Sequence, residues 1–501
     1  MSISGVGSST AALIQSLLDL RGQLNDLQTQ LGTGKRATTY AGMGLERGMG
    51  VGLRSQLAVL GNYGDTIEHV GLRIELAQAA LTQVDSVRQA VKGATLLSQF
   101  TLGVGGQTAD QQKAQAQLDQ VLSALNTRAG DRYLFSGRGV DQPAVQTTDH
   151  VLNGDGLRAG FKQVLEERRQ ADLGADGLGR LVIPAAAGSV VSLAEDAAGS
   201  PFGFKLLGIG TTIAGAVQSG PAGAPQSMSL DLTAATAVAG DSVAFTFTLP
   251  DGSTESVTLT ATNSATPAAG QFTLGATSAA TAANLQASLV TAVGALAATS
   301  LTAASAVAAA DDFFTVDASN PPRRVAGPPF DSATVLVAGT PANTVTWYIG
   351  EADSSAARLT AGARVDQAMT VSYGARANEE AIRSVVANVA VFAAVSFSPT
   401  DPSAAARFHA LTQRLGSSLS EPPGTQQVAN IAVDLASAQT TLNAAKDRHR
   451  QTQNTLADML DVIEGITPEE VGARILALQT RLQASLQTTA LLHQLSLTNY
   501  I

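Results

Sequence analysis

Two rows of apolar residues, one near each end of the chain, constrain the fold of this 501-residue protein more than any other feature. In the first row, leucines recur in alternating steps of four and three residues; they are Leu13, Leu17, Leu20, Leu24, Leu27 and Leu31. This spacing places them along one face of a helix and is typical of a helix that packs against a partner helix. Gly32 and Gly34 predict where this helix ends.

The second row lies close to the carboxyl terminus. Thr467, Pro468 and Glu470 combine a helix N-cap, a proline at the first helical position and the glutamate of a capping box, which predicts a new helix. Its apolar residues are Val471, Ile475, Leu478, Leu482 and Leu486, with Leu492 and Leu495 close to the same face. Single helices of this length are marginal in water, so we expect the two terminal helices to lie side by side and to become ordered against other copies.

Further helical patterns connect these ends to the middle of the chain. Near-heptad apolar spacing predicts one helix around residues 67–91, another at about 110–128, and a long one at 431–463. The glycine-rich stretch 42–52 is the least certain to be helical, because glycine disfavours helix. His449 occupies an apolar position of the long helix, and we interpret it as a tolerated polar residue rather than a pH-sensitive one.

Between these helical regions the pattern changes to that of β-strands. Residues 243–249 alternate bulky apolar with smaller or polar side chains, Pro250-Asp251-Gly252 supplies a turn, and the alternation resumes, which predicts a β-hairpin. A Thr- and Ala-rich helix at 279–296 is expected to pack on it. The segments 345–349 and 365–373 are also predicted strands.

The predicted fold class is therefore mainly α with an α+β insertion. Both chain ends form a long antiparallel, coiled-coil-like helical hairpin, and one or two β-containing domains are inserted at its far tip. We predict an N-terminal axial helix at 1–42, paired with a C-terminal axial helix at 466–501. Residues 43–147 and 376–465 are the two halves of a helical rod, and 148–375 form the insert.

Composition excludes several classes of partner. The net charge is −10 and basic residues come at most in adjacent pairs, so we expect no binding to nucleic acid. No run of apolar residues reaches the roughly 20 needed to cross a bilayer, and we expect no membrane insertion. The amino terminus lacks the basic and apolar regions of a cleaved secretory signal. The chain has no cysteine, which removes disulfides and thiolate chemistry.

No arrangement of residues indicates a catalytic, cofactor or metal site. Residues 32–36, Gly-Thr-Gly-Lys-Arg, lack the earlier glycine of a phosphate loop and carry arginine where it needs Ser or Thr. The five histidines are scattered without the spacing of helical metal ligands. No serine stands in a Gly-x-Ser-x-Gly context. We therefore expect no catalytic residues, no cofactor and no metal, and we interpret the protein as not being an enzyme.

Several segments resemble the bacterial flagellin family. The leucine row leading into Gln30–Arg36 is similar to the start of flagellins, where a Ser/Thr-Gly-Lys-Arg element follows the row. Residues 482–487 and the ending 494–501 resemble the tail of the family's hook-associated junction branch. Phe135-Ser136-Gly137 resembles the turn out of that branch's helical domain, and residues 373–383 resemble the return into it. One departure is the stretch 37–42, Ala-Thr-Thr-Tyr-Ala-Gly, which replaces an acidic stretch of the family.

The resemblance implies a structural subunit that is exported without a cleaved signal to the bacterial flagellum and connects hook to filament by self-assembly. Implied partners are other copies of the chain in a helical or ring assembly, other hook-associated proteins, flagellin, and an export chaperone. The thirteen terminal apolar residues of the two rows are then the expected assembly interface. Two alternatives stay open: a filament flagellin, and a secreted surface-binding protein that uses its central insert.

Overall fold

A computed structural model describes residues 4–103, 105–316, 321–351, 353 and 355–498. The side chains of 4–10, 13 and 492–498 lie outside this description. The described helices are α1 Ser4–Thr33, α2 Arg47–Leu97, α3 Ala109–Leu125, α4 Thr148–Asn153, α5 Phe161–Leu173, α6 Ser278–Leu296, α7 Thr302–Phe314, α8 Glu380–Ala394, α9 Ala404–Ser418, α10 Val428–Glu464 and α11 Pro468–Thr498. Two 3₁₀ segments, Tyr40–Glu46 and Ala357–Thr360, and a π-helical turn, Ala297–Leu301, complete the helical elements.

The strands are short and lie mostly in the middle of the chain. They are β1 Arg128–Ala129, β2 Arg132–Tyr133, β3 Leu181–Val182, β4 Val190–Glu195, β5 Lys205–Thr211, β6 Val217–Ala222, β7 Ser227–Asp231, β8 Ser242–Thr248, β9 Thr254–Thr262, β10 Gln271–Thr273, β11 Arg323–Val325, β12 Leu336–Ala338, β13 Gly362–Arg364 and β14 Thr370–Ser372. Two four-stranded sheets have the orders β10-β9-β8-β5 and β3-β4-β7-β6. Three further pairs, β1-β2, β11-β12 and β13-β14, form two-stranded sheets.

The chain divides into two compact units. The terminal unit comprises the described parts of residues 1–70, 364–370 and 440–501, and the central unit comprises those of 71–363 and 371–439. Long helices at both chain ends and sheets in the middle confirm the expected fold class, mainly α with a β-containing insertion.

The central unit contains the predicted β-hairpin. β8 pairs with β9 in antiparallel register, with Val243 opposite Leu259 and Phe245 opposite Val257. Alternate side chains of β8 are buried, as the period of two requires. The predicted Thr- and Ala-rich helix is α6, whose Leu285, Leu289 and Val293 are fully buried in the same core. The prediction of a hairpin covered by a helix is confirmed.

The predicted strand at 345–349 is wrong as a regular strand. Val345 donates its N–H to the Ala159 carbonyl at 3.0 Å, whereas Ile349 donates to Ala144 at 2.9 Å. Because the segment changes partner along its length, no continuous ladder forms. Trp347 lies fully buried at the change, and its indole Nε1 donates to the Phe314 carbonyl at 2.8 Å.

The predicted strand at 365–373 is also corrected. The paired residues are those of β13 and β14, and Val365 and Met369 lie in the turn between them, where the Val365 N–H donates to the Met369 carbonyl at 3.0 Å.

One helical stretch of the described residues, Ser278–Phe314, is long and apolar enough to cross a membrane, and 56% of its most apolar window is buried inside the molecule. A stretch that is buried to this extent is typical of a helix in the core of the central unit.

Candidate assembly interface

The first and last helices of the terminal unit pack against each other. The α1 row supplies half-buried leucines at its middle positions; they are Leu17, Leu20, Leu24 and Leu27. On α11, Val471 and Leu478 are buried, and Ile475 and Leu482 are half-buried. The end of α1 lies beside the start of α11, so the two helices run antiparallel. We call these eight residues the shared row.

The remaining members of the predicted interface lie differently. Leu31 and Leu486 are exposed over 47% and 49% of their surface, so the partner helix does not cover either of them. Leu13, Leu492 and Leu495 fall in helical segments, but their side chains lie outside the described residues. The structure thus packs eight of the thirteen predicted residues together within one chain. Two others, Leu31 and Leu486, are exposed to solvent.

A second set of apolar side chains on the same helices was missed by the sequence analysis. These side chains are exposed by about half or more; they are Ile14, Leu18, Leu476 and Leu491. Ile14 and Leu18 are four residues apart and therefore share a face of α1 beside the shared row. The signal was present in that spacing, but the regular leucine row concealed it. We call these four residues the outer row.

A short clasp joins the end of α1 to the turn between α10 and α11. The Arg36 N–H donates to the Glu464 carbonyl at 2.7 Å, and the Ile466 N–H donates to the Gly34 carbonyl at 3.0 Å. Lys35 and Gly465 form the antiparallel bridge between these bonds. Gly34 ends the helix with a φ of +65°, in the left-handed region that favours glycine. Glycine at this position allows the chain to turn into the clasp.

Side chains reinforce the clasp from α2 and from the preceding loop. The Arg54 guanidinium donates to the Glu464 carboxylate at 2.5 Å and to the Tyr40 hydroxyl at 3.1 Å. The bond to Glu464 raises the pKa of Arg54 above its ordinary value, because the carboxylate stabilises the charged form. Tyr40 belongs to the stretch 37–42 that departs from the flagellin pattern. In this chain the tyrosine of this stretch contacts Arg54.

The start of α11 has the predicted N-cap and first-position proline, whereas the Glu470 carboxylate contacts Arg474 instead of completing the predicted capping box. The Glu470 N–H donates to the Thr467 hydroxyl at 3.3 Å, and Pro468 occupies the first helical position. The Glu470 carboxylate is bonded to Arg474 at 2.5 Å. The cap fixes where α11 leaves the clasp, and hence which of its side chains meet α1.

His449 is a packed residue of the terminal unit. It is 5% exposed, its ring stacks on Tyr63 at 5.7 Å between centroids, and its Nε2 lies 2.7 Å from the Val365 carbonyl oxygen. Beside it, a backbone hydrogen bond from Gln367 and the Arg448 guanidinium lower the pKa of the Asp366 carboxyl. These contacts tie the segment 364–370 to α10, and they give His449 a structural role.

In the central unit, two segments singled out by the flagellin resemblance meet. The Ala377 N–H donates to the Phe135 carbonyl at 2.9 Å, and Ser136 bridges Arg376. The Arg376 N–H donates to the Glu379 carboxylate at 3.0 Å. The chain therefore leaves and re-enters its helical part through adjacent backbone segments.

The described side chains include no group of three or more His, Asp or Glu residues placed to hold a metal ion. The contacts between α1, α11 and the turn before α11 consist of apolar side chains and backbone pairing.

Comparison with known proteins bears on the same region. No curated protein matches the chain. Residues 8–139, which include most of α1, the segment 34–46, α2 and α3, match the family described as bacterial flagellin N-terminal helical region. Over this region the chain is similar to the N-terminal helical region of bacterial flagellins.

Proposed function

We propose that the protein is a structural subunit that connects the hook of a bacterial flagellum to its filament, and that it assembles through α1 and α11. The observation that carries the proposal is the outer row. The chain pairs its own terminal helices and still leaves the side chains of Ile14, Leu18, Leu476 and Leu491 more than half exposed.

The energetics favour burial of this surface between copies. Hiding a fully exposed leucine or isoleucine contributes roughly 1.5–3 kcal/mol, and several such side chains along two helices offset the entropy of ordering them. Most of the stability of a helix in a protein comes from the packing of its apolar face, so ordering of these helices and association reinforce each other. The shared row holds the pair together, and the outer row joins it to neighbouring subunits.

The proposal assigns a role to each part of the chain. Residues 1–42 and 466–501 form the axial helix pair, including Leu13, Leu492 and Leu495. Residues 43–147 and 376–465 form the supporting helices, and 148–375 form the insert. The partners are other copies of the chain, other hook-associated proteins and flagellin, with an export chaperone for the C-terminal helix.

Assembly is tested by placing charge in the outer row. The variant carrying Ile14→Asp and Leu18→Asp should remain a helical monomer but lose polymer in sedimentation and negative-stain microscopy, because the charges are desolvated between copies. The matched control carries Gln15→Asp and Ser16→Asp, which add the same charge to exposed polar positions of the same turn. Polymer formed equally by both variants would exclude the outer row from the contact.

The position in the flagellum is tested by immunogold microscopy with antibody against residues 227–273 of the insert. Gold confined to the boundary of hook and filament supports the junction role, which the resemblance of residues 494–501 favours. Gold along the whole filament would make the protein a filament flagellin. Intact flagella without gold, together with binding to another surface that is lost on deleting the insert, would favour a secreted binding protein.

A further inference from the structure

A cavity of about 460 Å³ lies between four helices of the central unit. α7 supplies the floor, and α5, α9 and the end of α8 supply the walls; the lining residues are Lys162, Leu165, Glu166, Arg169, Thr302, Ala303, Ala306, Ala394, Val395, Ser396, Arg407 and Leu411. The volume is within the range of roughly 300–1,000 Å³ that is typical of small-molecule sites. The cavity has no part in the proposed assembly.

The floor of the cavity is apolar and made largely of small side chains. Ala303 and Ala306 are buried, at 2% and 4% exposure, as is Leu411 on the α9 wall, at 1%. Alanine is the reason that space remains, since a larger residue at either α7 position would fill it. Protein interiors are close-packed, and a void with this lining forgoes dispersion contacts that an apolar occupant would restore.

The rim of the cavity is charged, with three cations and one carboxylate. Glu166 is engaged by Arg169 through two hydrogen bonds of 2.6 and 2.8 Å. Arg407 is bonded to Asp401 at 2.7 Å, and Lys162 donates to the neutral amide oxygen of Asn153 at 3.0 Å. The Lys162 charge therefore has no carboxylate bonded to it within the described residues. The rim favours an anion over a neutral or cationic group.

We propose that this cavity binds a small carboxylate with an apolar body, its tail on the alanine floor and its head at the rim beside Lys162 and Arg407. A lining that combines small apolar side chains with cationic ones matches a molecule that is apolar at one end and anionic at the other. A bare inorganic anion would leave the floor uncovered, and a neutral chain would leave the rim charges unused.

The test is titration calorimetry on the full chain with three probes: octanoate, 1-octanol and inorganic phosphate. Octanoate should bind at one site, and the other two at least about tenfold more weakly, because each lacks one half of the recognition. Equal binding of octanol and octanoate, or absence of octanoate binding, would overturn the proposal.

Variants locate the binding. Ala306→Phe should abolish octanoate binding by filling the floor, and Lys162→Gln or Arg407→Gln should weaken it about tenfold. Ala405→Phe and Lys113→Gln, at exposed positions of α9 and α3, are the matched controls and should bind as the parent does. If circular dichroism shows that Ala306→Phe unfolds, Ala303→Met replaces it. Octanoate binding that survives filling of the floor in a folded variant would place the site elsewhere and overturn the proposal.

Discussion

The carboxylate of Glu464 accepts a 2.5 Å hydrogen bond from the guanidinium of Arg54, 410 residues earlier in the chain. The carbonyl oxygen of the same residue accepts the N–H of Arg36. Glu464 thus connects the end of α10 with both the clasp and the start of α2. Its side chain is only 10% exposed.

Glu464→Gln should loosen the clasp. The substitution removes the charge that Arg54 contacts, and a charge-assisted hydrogen bond contributes about 1.5–3 kcal/mol, reduced here because Arg54 itself is 41% exposed. Hydrogen exchange at residues 34–36 and 464–466 should accelerate severalfold. Glu46→Gln, at an exposed position of the preceding 3₁₀ segment, is the control. Equal exchange in the two variants would show that the carboxylate does not hold the clasp.

Two glycines at the end of α1 should respond oppositely to alanine. Gly32 is helical, and Gly34 has a φ of +65°; a Cβ at either position would meet no atom within 4 Å. Gly32→Ala should therefore stabilise α1 by about 0.5–1 kcal/mol, and Gly34→Ala should destabilise the clasp by about 1 kcal/mol. Hydrogen exchange along α1 measures both. The same sign of change in the two variants would contradict the backbone explanation.

Local patterns predicted the helices and their faces well, because apolar periodicity directly reflects which face is buried. The shared row, the capped start of α11 and the hairpin β8–β9 follow from residues close together in sequence. The outer row was missed because Ile14 and Leu18 do not interrupt the regular leucine spacing of α1. Only the structure shows that the partner helix leaves these two side chains exposed.

Features that depend on distant segments could not be predicted. Nothing near Lys35 in the sequence indicates that Gly465 is its bridge partner. Likewise, the alternation around Trp347 is that of a strand, but the segment pairs first with one backbone and then with another. Sequence alternation reports the side chains' faces and carries no information about which backbone is available for pairing.

A buried ionic network supports the central unit. Arg168 is bonded to Asp172 at 2.9 Å and to Asp312 at 2.6 Å, and Asp172 also accepts the Gly203 N–H at 2.9 Å. Asp172→Ala should lower the free energy of unfolding of this unit by about 3–5 kcal/mol, since it leaves a buried charge partly unpaired. Urea denaturation followed by Trp347 fluorescence measures the loss.

The double variant Asp172→Ala with Arg168→Met is the control for that prediction. It removes the stranded charge as well, so part of the lost stability should return. A double variant less stable than Asp172→Ala alone would mean that Arg168 stabilises mainly through packing, for example through its contact with the Phe202 ring at 5.2 Å.

The start of α9 should become less stable in acid. The Ser403 hydroxyl donates to the Asp401 carboxylate at 2.6 Å and, with the Ser403 N–H and Arg407, keeps the pKa of Asp401 below its ordinary value of 3.8. A carboxyl whose pKa is depressed on folding stabilises the native state above its unfolded pKa, and this contribution is lost as the pH falls through the folded value. Hydrogen exchange at residues 404–408, taken relative to the intrinsic exchange rate at each pH, should therefore accelerate below about pH 4 in the parent. Asp401→Asn should exchange faster at neutral pH and show a smaller acid-induced increase, whereas Asp141→Asn, at an exposed position, should behave as the parent does. An acid-induced increase of the same size in Asp401→Asn would assign the pH dependence to another carboxyl and leave Asp401 as a neutral cap.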